Sequence, residues 1–491
     1  MPLPRWRLLP DRLRALPEGG MLGPVLTLLT GTVAAQAAVY LARPVLTRVF
    51  APEAFGLFAF YLAAVAVLAT AATGKYEDAI PLPERPRAAA GAAALALALS
   101  GGVALLALLA VPFREPLAAA LGHPEAAPYV ALVPLGVWVT AWGRTAELWL
   151  TRVARFGPIS FSRGVQGGVT VPVQIGAGVA GLGALGLVGG HLAGRAVATA
   201  ALAVAVLRGG RLRQRIGDGL LGEAGHAARR YRRFALFGMP SGTLNAFSMQ
   251  LPAFLLLAWF SPEAAGLYAV AYGTLAIPMQ LVGGSVAQVF FARAAVARRE
   301  GTLATLTGSV FARLCALGAF PMAALAVAGP EVFALVFGEA WREAGTYAQW
   351  LAPWLFLVFV SSPLSTLLDV LERQPLELGF NVVLLAGRVA ALAAGAAAGD
   401  ARLAVILFAA VSAVGYGALA VGLLGLARVP NVVAAGALRR GLGLAFAPLA
   451  VVAAPVALGA GDALVVGALA VGGLLFAWLL VRKNPRVEPA Q

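Results

Sequence analysis

The 491-residue chain is 60% hydrophobic and 12% charged, with a mean hydropathy of +0.85, whereas water-soluble domains carry about a quarter charged residues. This composition excludes a soluble globular protein and puts most of the surface in lipid, so the net charge of +15 is read against a membrane and no nucleic-acid partner is expected. Cys315 is the only cysteine, which excludes an intrachain disulfide, and His123, His191 and His226 lack metal-ligand spacing; no metal site and no cofactor are expected.

Residues 1–20 hold Arg5, Arg7, Arg12 and Arg14 among prolines and read as a cytoplasmic tail. Apolar runs of about 20 residues, enough to cross a core roughly 30 Å thick, follow near 22–42, 54–73, 88–112, 127–150, 159–181, 183–207, 234–259, 265–290, 304–328, 347–370, 377–398, 402–427, 442–459 and 463–481. They predict an all-α polytopic membrane protein of about 14 transmembrane helices. The Gly-rich stretch 176–190 and the Ala/Gly tract 391–399 blur two joints, so twelve or thirteen spans stay open. With the N-terminus inside, 28 of the 37 Lys and Arg fall on the inner side, five on the outer side and four within spans, as the positive-inside rule requires. Both termini are then cytoplasmic.

The phrase Phe50-Ala-Pro-Glu-Ala-Phe-Gly-Leu-Phe-Ala59 returns as Phe260-Ser-Pro-Glu-Ala-Ala-Gly-Leu-Tyr-Ala269 at an offset of 210. Gly31-Thr32 recurs as Gly242-Thr243, one residue out of register. Two homologous six-span halves follow, in parallel because six is even, with a pair of helices appended. The expected organisation is a tail 1–20, a six-helix bundle 21–207, a basic cytoplasmic linker 208–233, a second bundle 234–428, and two further helices with a tail, 429–491. The repeated phrase joins spans one to two and seven to eight, with Glu53 and Glu263 as caps on the following helices. The linker, with eight arginines, suits anionic membrane lipid.

Arg43-Pro-Val-Leu-Thr-Arg-Val-Phe-Ala-Pro-Glu-Ala-Phe-Gly-Leu-Phe58 and Lys75-Tyr-Glu-Asp-Ala-Ile-Pro-Leu-Pro83 resemble the start of bacterial polysaccharide (O-antigen) flippases. Phe337-Gly-Glu-Ala-Trp-Arg-Glu-Ala-Gly345, Leu351-Ala-Pro-Trp-Leu355 and Ser362-Pro-Leu-Ser365 resemble the second-half pattern of that family, within the multidrug/oligosaccharidyl-lipid/polysaccharide exporter superfamily. The resemblance implies a V-shaped pair of bundles around a central cavity. It also implies alternating-access movement of polyprenyl-diphosphate-linked oligosaccharide to the periplasmic leaflet of the bacterial inner membrane, coupled to a Na+ or H+ gradient. No enzymatic activity is implied. A monomer working with other polysaccharide-assembly proteins is expected.

An Arg at a helix centre costs at least about 2.5–3.5 kcal/mol, so it is retained where it meets a wet cavity, a bundle interior or an anion. Arg144, Arg195, Arg313 and Arg388 fall within spans, with Arg163 near the inner end of span five; Glu147 and Asp369 are the intraspan carboxylates. A net cationic interior suits a diphosphate, which guanidinium binds bidentately. The five arginines, with Asn245, Gln250 and Gln36 as hydrogen-bonding groups for sugar or for neighbouring helices, form the expected substrate-binding set. Arg144 and Glu147 share a helix face and also suit mutual neutralisation. Arg43 and Arg48 mark an outer rim, Lys75, Glu77 and Asp78 an inner gate or solvated elbow, and Glu147 and Asp369 carry the expected ion coupling if desolvated. Trp138 with Trp142, and Trp350 with Trp354, suit packing or interfacial belts better than sugar stacking. Gly181-Leu-Gly-Ala-Leu-Gly186 reads as a tight turn or close helix packing rather than a dinucleotide loop.

Two other readings stay open: an exporter of small cations or of the peptidoglycan lipid precursor, and a membrane glycan polymerase or ligase. Cationic residues disfavour the first substrate. The absence of a large extramembrane loop with paired acids or bases disfavours the enzyme.

Overall fold

A computed structural model describes residues 40–209, 219–277, 279–371 and 373–483. The tail 1–20, Gln36, Gly31-Thr32 and most of the run 22–42 lie outside the described residues, as do most of the linker's first half and the last residues after 483. Among the described residues the regular structure is entirely helical, and ten helices are long and apolar enough to cross a membrane. The chain is therefore a multi-pass membrane protein.

Ten of the fourteen apolar runs correspond to these helices, with shifted ends: the run at 442 belongs to a helix that begins at Asn431, and the run at 304 continues to Phe337. Of the other four, the first lies mostly outside the described residues. The second, 159–181, forms the helix Phe156–Val179, which carries Ser160, Ser162, Arg163, Gln166 and Gln174. The runs at 234 and 265 are interrupted by single turns of wider π-helix, Phe234–Gly238 and Met279–Gly283.

By contacts the chain divides into two compact units, 1–258 and 259–491. The repeat starts the second half at 234, yet the helix Met239–Trp259 packs almost wholly within the first unit. Each copy of the repeated phrase opens a helix. Pro52 and Pro262 occupy the first turn, where a missing N–H costs nothing, and Glu53 and Glu263 sit at the positive end of the helix dipole. Ser261 Oγ adds a cap by accepting from Ala264 N at 3.1 Å.

In the first unit a helix over 40–49 (α1) leads to α2 (Pro52–Ala72), α3 (Pro86–Leu109), the short α4 (Arg114–Ala120), α5 (Ala127–Arg152), α6 (Phe156–Val179) and α7 (Gly183–Arg208). The amphipathic α8 (Leu220–Arg230) and α9 (Met239–Trp259) complete it. Helices α6 and α7 form a hairpin around Gly181 and Gly183, whose φ values of 73° and 52° favour glycine. The G-x-G-x-x-G run is thus the tight turn the sequence suggests. Helix α8 docks on α3: Ala227 is buried, and the Tyr76 hydroxyl donates to the Ala228 carbonyl at 3.2 Å.

The second unit contains α10 (Pro262–Leu275), α11 (Gly284–Glu300), α12 (Leu303–Phe337), α13 (Arg342–Ser361), the short α14 (Leu367–Val370), α15 (Gln374–Ala397), α16 (Ala401–Leu426), α17 (Asn431–Ala457) and α18 (Asp462–Lys483). The appended pair α17 and α18 packs on α12 through buried Val452 and Val465 and a Phe320–Phe476 stack at 5.0 Å. Helix α12 leaves helical geometry at Ala328, just before Pro330, whose missing N–H and ring account for the bend.

Helix α13 crosses α12 at this bend, and a Cβ on Gly345 would overlap the Gly329 carbonyl group. Gly345→Ala is expected to lower stability by about 2 kcal/mol, because both neighbours are backbone and neither can yield as a side chain would. Gly379→Ala on α15, which meets open space, is the control. A thermal melt in detergent separates the two, and an unchanged melting point for Gly345→Ala contradicts the crossing.

Candidate functional site

The first unit brings together three of the expected arginines, Arg144, Arg163 and Arg195. Arg144 and Glu147 lie three residues apart on α5, Arg163 and Gln166 three apart on α6, and His191 and Arg195 four apart on α7, so each pair shares a helix face. Arg163 Nε approaches Glu147 Oε1 at 3.9 Å, and Arg195 donates to Gln166 Oε1 at 3.3 Å. Glu147, Arg163 and Arg144 all lie within electrostatic reach of Arg195. Three of the five expected arginines are therefore one cluster. Gln166 and His191, which packs edge-on against Phe58 and Tyr61, were not singled out from sequence, although their spacing to Arg163 and Arg195 signals a shared face.

Arg144 reaches away from Glu147 to the elbow between α2 and α3, where its guanidinium lies 3.8 Å from Glu77 Oε1 and 3.4 Å from Asp78 Oδ1. Lys75 Nζ pairs with the same Asp78 at 3.2 Å. The expected gate trio is thus compact and joined to the arginine cluster. Lys75 holds φ at 61°, a left-handed conformation that costs a residue with a side chain of order 1–3 kcal/mol. The elbow is clamped from α5, where Arg152 donates to the carbonyls of Ile80, Pro81 and Glu84 at 3.0, 3.1 and 3.3 Å.

Glu77 is the exception among these charges, with its side chain only 3% exposed against 53% for Arg144. Burial raises its carboxyl above the ordinary carboxylate pKa and Asp78 adds to the push, while Thr73, a backbone amide and Lys75 oppose it. With every group ionised, Lys75, Arg144, Arg163 and Arg195 face Glu77, Asp78 and Glu147, four cations against three carboxylates.

The remaining described residues of the expected set in this unit lie on α1 and α9. Arg43 lies half-buried over the Tyr40 ring at 5.0 Å and Arg48 is exposed, both on α1. On α9, Asn245 is exposed and Gln250 half-buried. Trp138 and Trp142 pack together with ring centroids 5.0 Å apart.

In the second unit Arg388, expected on a cavity wall, is enclosed at 1% exposure. Its guanidinium lies 5.1–5.9 Å from the ring centres of Phe408, Trp354 and Tyr416, and Nε donates to Ser412 Oγ at 2.9 Å. Phe408, Ser412 and Tyr416 recur every fourth residue of α16, one face that encloses the charge. Trp354 also stacks on Tyr272, so the Trp350/Trp354 pair splits into one packed ring and one exposed ring. Arg313 is exposed on α12, and Asp369 is exposed on α14 rather than desolvated. The motif Phe337–Gly345 is a set of ties: Arg342 binds Glu339 at 2.6 Å and Asp462 of α18 at 2.6 Å, while Glu343 accepts from Arg402 of α16 at 2.7 Å.

A family profile described as polysaccharide biosynthesis protein matches residues 45–346. No curated protein sequence matches the chain. Among solved structures it is similar to the lipid II flippase MurJ in an inward closed conformation, at 10% identity and a TM-score of 0.69 over 92% of this chain and 98% of that one. It is also similar to a multidrug resistance MATE family transporter of the MOP superfamily in an inward-facing conformation (14% identity, TM-score 0.62, 84% and 99% covered). An outward-facing conformation of such a transporter matches at 16% identity and a TM-score of 0.51, with 82% and 94% covered. At these identities the likeness is one of fold.

Proposed function

The chain belongs to the polysaccharide biosynthesis protein family, and on that premise we propose that it is a flippase for polyprenyl-diphosphate-linked oligosaccharide. The substrate moves from the cytoplasmic to the periplasmic leaflet of a bacterial inner membrane, both termini being cytoplasmic, during surface polysaccharide (O-antigen or exopolysaccharide) assembly. The observation that supports the proposal is the gathering of Arg144, Arg163 and Arg195 from three helices, which with Lys75 outnumber the carboxylates Glu77, Asp78 and Glu147 that face them. Guanidinium groups gathered on a membrane protein, one exposed and two half-buried here, bind phosphate oxygens by paired charge-assisted hydrogen bonds, whereas a small cation would be repelled.

The mechanism proposed is alternating access, supported by fold neighbours that adopt inward-facing and outward-facing conformations. An ion gradient drives it, with H+ or Na+ as the coupling ion; Glu147, inside the cluster, suits coupling better than the exposed Asp369. The protein acts as a monomeric transporter rather than an enzyme, beside other polysaccharide-assembly proteins. A second reading, a different polyprenyl-diphosphate precursor such as that of peptidoglycan, draws on the likeness to the lipid II flippase fold.

Deletion of the gene is expected to accumulate lipid-linked oligosaccharide on the inner leaflet, measured by protection of the glycan from an externally added glycosidase in spheroplasts. Unchanged accessibility in the deletion strain rules the flippase reading out.

A further inference from the structure

The elbow holds a buried acid that substrate binding alone does not explain. Glu77 Oε2 and Thr73 Oγ1, four residues apart across the elbow's bend, are both buried and make no hydrogen bond of ordinary geometry, while Glu77 Oε1 faces Arg144 Nε at 3.8 Å. Its own segment supplies Lys75 and Asp78, which pair with each other. From α5 come Arg144, and Arg152, whose guanidinium is spent on the carbonyls of residues 80, 81 and 84. Glu84 and Arg85 before α3 and Arg87 on its first turn are exposed, as are His226, Arg229 and Arg230 of α8 and Arg232 and Arg233 after it, Glu223 is half-buried, and the π turn Phe234–Gly238 carries no titratable side chain. Among the described residues Arg144 is the guanidinium that faces both this acid and the arginine cluster. Two successive left-handed residues, Gly74 and Lys75, hold the acid in place.

We infer that Glu77 is where the protein takes up a proton when an anionic headgroup engages Arg144. This rests on the diphosphate reading above and extends it. A headgroup that draws Arg144 from the elbow leaves a buried carboxylate without its counter-charge, which a low-dielectric site does not tolerate. The carboxylate accepts a proton from bulk water to become a neutral carboxylic acid, whose O–H has the Thr73 hydroxyl oxygen beside it. Arg144 stays charged throughout, and the proton returns to water when the anion leaves. The cluster's balance moves from four cations against three carboxylates to four against two, so each event favours the other. By thermodynamic reciprocity, protonating Glu77 strengthens anion binding by the same factor that anion binding strengthens protonation. Raised proton affinity from burial agrees with this arrangement. Glu77 is a positioning residue that acts through Arg144.

The test is calorimetric titration of the full chain in detergent with farnesyl diphosphate at pH 7.5, in two buffers of different ionisation heat. Wild type is expected to take up more protons per ligand than Glu77→Gln, and Glu77→Gln to bind about 5-fold or more tightly than wild type, because it leaves Asp78 as the one carboxylate of the elbow holding Arg144. At pH 5 the two affinities converge. Equal proton uptake in both proteins overturns the inference while leaving diphosphate binding intact. Failure of wild type to bind overturns the diphosphate reading itself, whereas failure of Glu77→Gln alone overturns the inference. Sodium-dependent binding that Glu77→Gln abolishes, without a difference in proton uptake, assigns the pocket to a metal cation and also overturns it. A melt comparison needs no ligand. Glu77→Gln is expected to gain thermal stability over wild type as pH rises from 5 to 8, since a carboxyl with a raised folded-state pKa loses its stabilising contribution over that rise. A pH-independent difference between the two contradicts the titration.

Discussion

Replacing Arg144 and Arg195 together by glutamine is expected to weaken farnesyl diphosphate binding by about 100-fold or more while leaving the fold intact. Each charge-assisted hydrogen bond contributes about 1.5–3 kcal/mol, and two such losses amount to at least about 3 kcal/mol, or two factors of ten. Both side chains emerge from helices whose packing rests on other residues: α6 and α7 meet along their hairpin, and Tyr61 of α2 packs against Gly136 of α5. Glutamine keeps a polar side chain of intermediate length, so the loss reports charge. The single Arg163→Gln variant is expected to lose less, because Glu147 already opposes it at 3.9 Å. Calorimetry supplies the affinities and a melt verifies folding; full affinity in the folded double variant removes the cluster from the site.

Replacing Arg388 by alanine is expected to have a larger effect on stability and none specific to the substrate. The side chain is 1% exposed inside three aromatic rings, so alanine leaves a cavity where a long side chain stood, at a cost of about 3–5 kcal/mol. Arg388→Met fills that volume and removes a buried charge; such replacements are close to neutral, within about 1.5 kcal/mol. Arg388→Met is therefore expected to fold and to bind farnesyl diphosphate like wild type. A stable Arg388→Met protein that has lost binding places this guanidinium in the substrate path instead.

Much of the architecture is legible in the chain because lipid imposes it. Apolar runs of spanning length and the Pro-Glu helix starts at 52 and 262 each follow from a single physical rule. The interrupted helices are less legible. The π turns at 234–238 and 279–283 lie in runs whose hydropathy continues across them, and one extra residue per turn leaves no mark on composition. Similarly, the cost of an intraspan arginine identified Arg144, Arg195 and Arg388 from sequence, but spacing fixes only which face a side chain shares. Arg144 and Glu147 share a face, yet each turns to a partner on another segment, because arginine is long enough to cross between helices. Arg388 looked like its counterparts in the first unit, and only the fourfold spacing of Phe408, Ser412 and Tyr416 hinted at a closed cage. Asp369, a coupling candidate only if desolvated, is instead the exposed residue of a short helix after α13 whose Leu367 and Leu368 are buried. The family-like motif at 337–345 proves to be a structural tie of α18 and α16 to α13, which explains its charges without a substrate.

The most direct measurement is translocation itself. Purified protein in proteoliposomes, given a fluorescent polyprenyl-diphosphate oligosaccharide and an external reagent that quenches only the outer leaflet, reports the rate of exchange between leaflets. Wild type is expected to accelerate exchange, Arg388→Met to match it, and the Arg144→Gln, Arg195→Gln double variant to fall to the rate of protein-free vesicles. Undiminished exchange by the folded double variant would contradict a flippase that grips its substrate through this cluster.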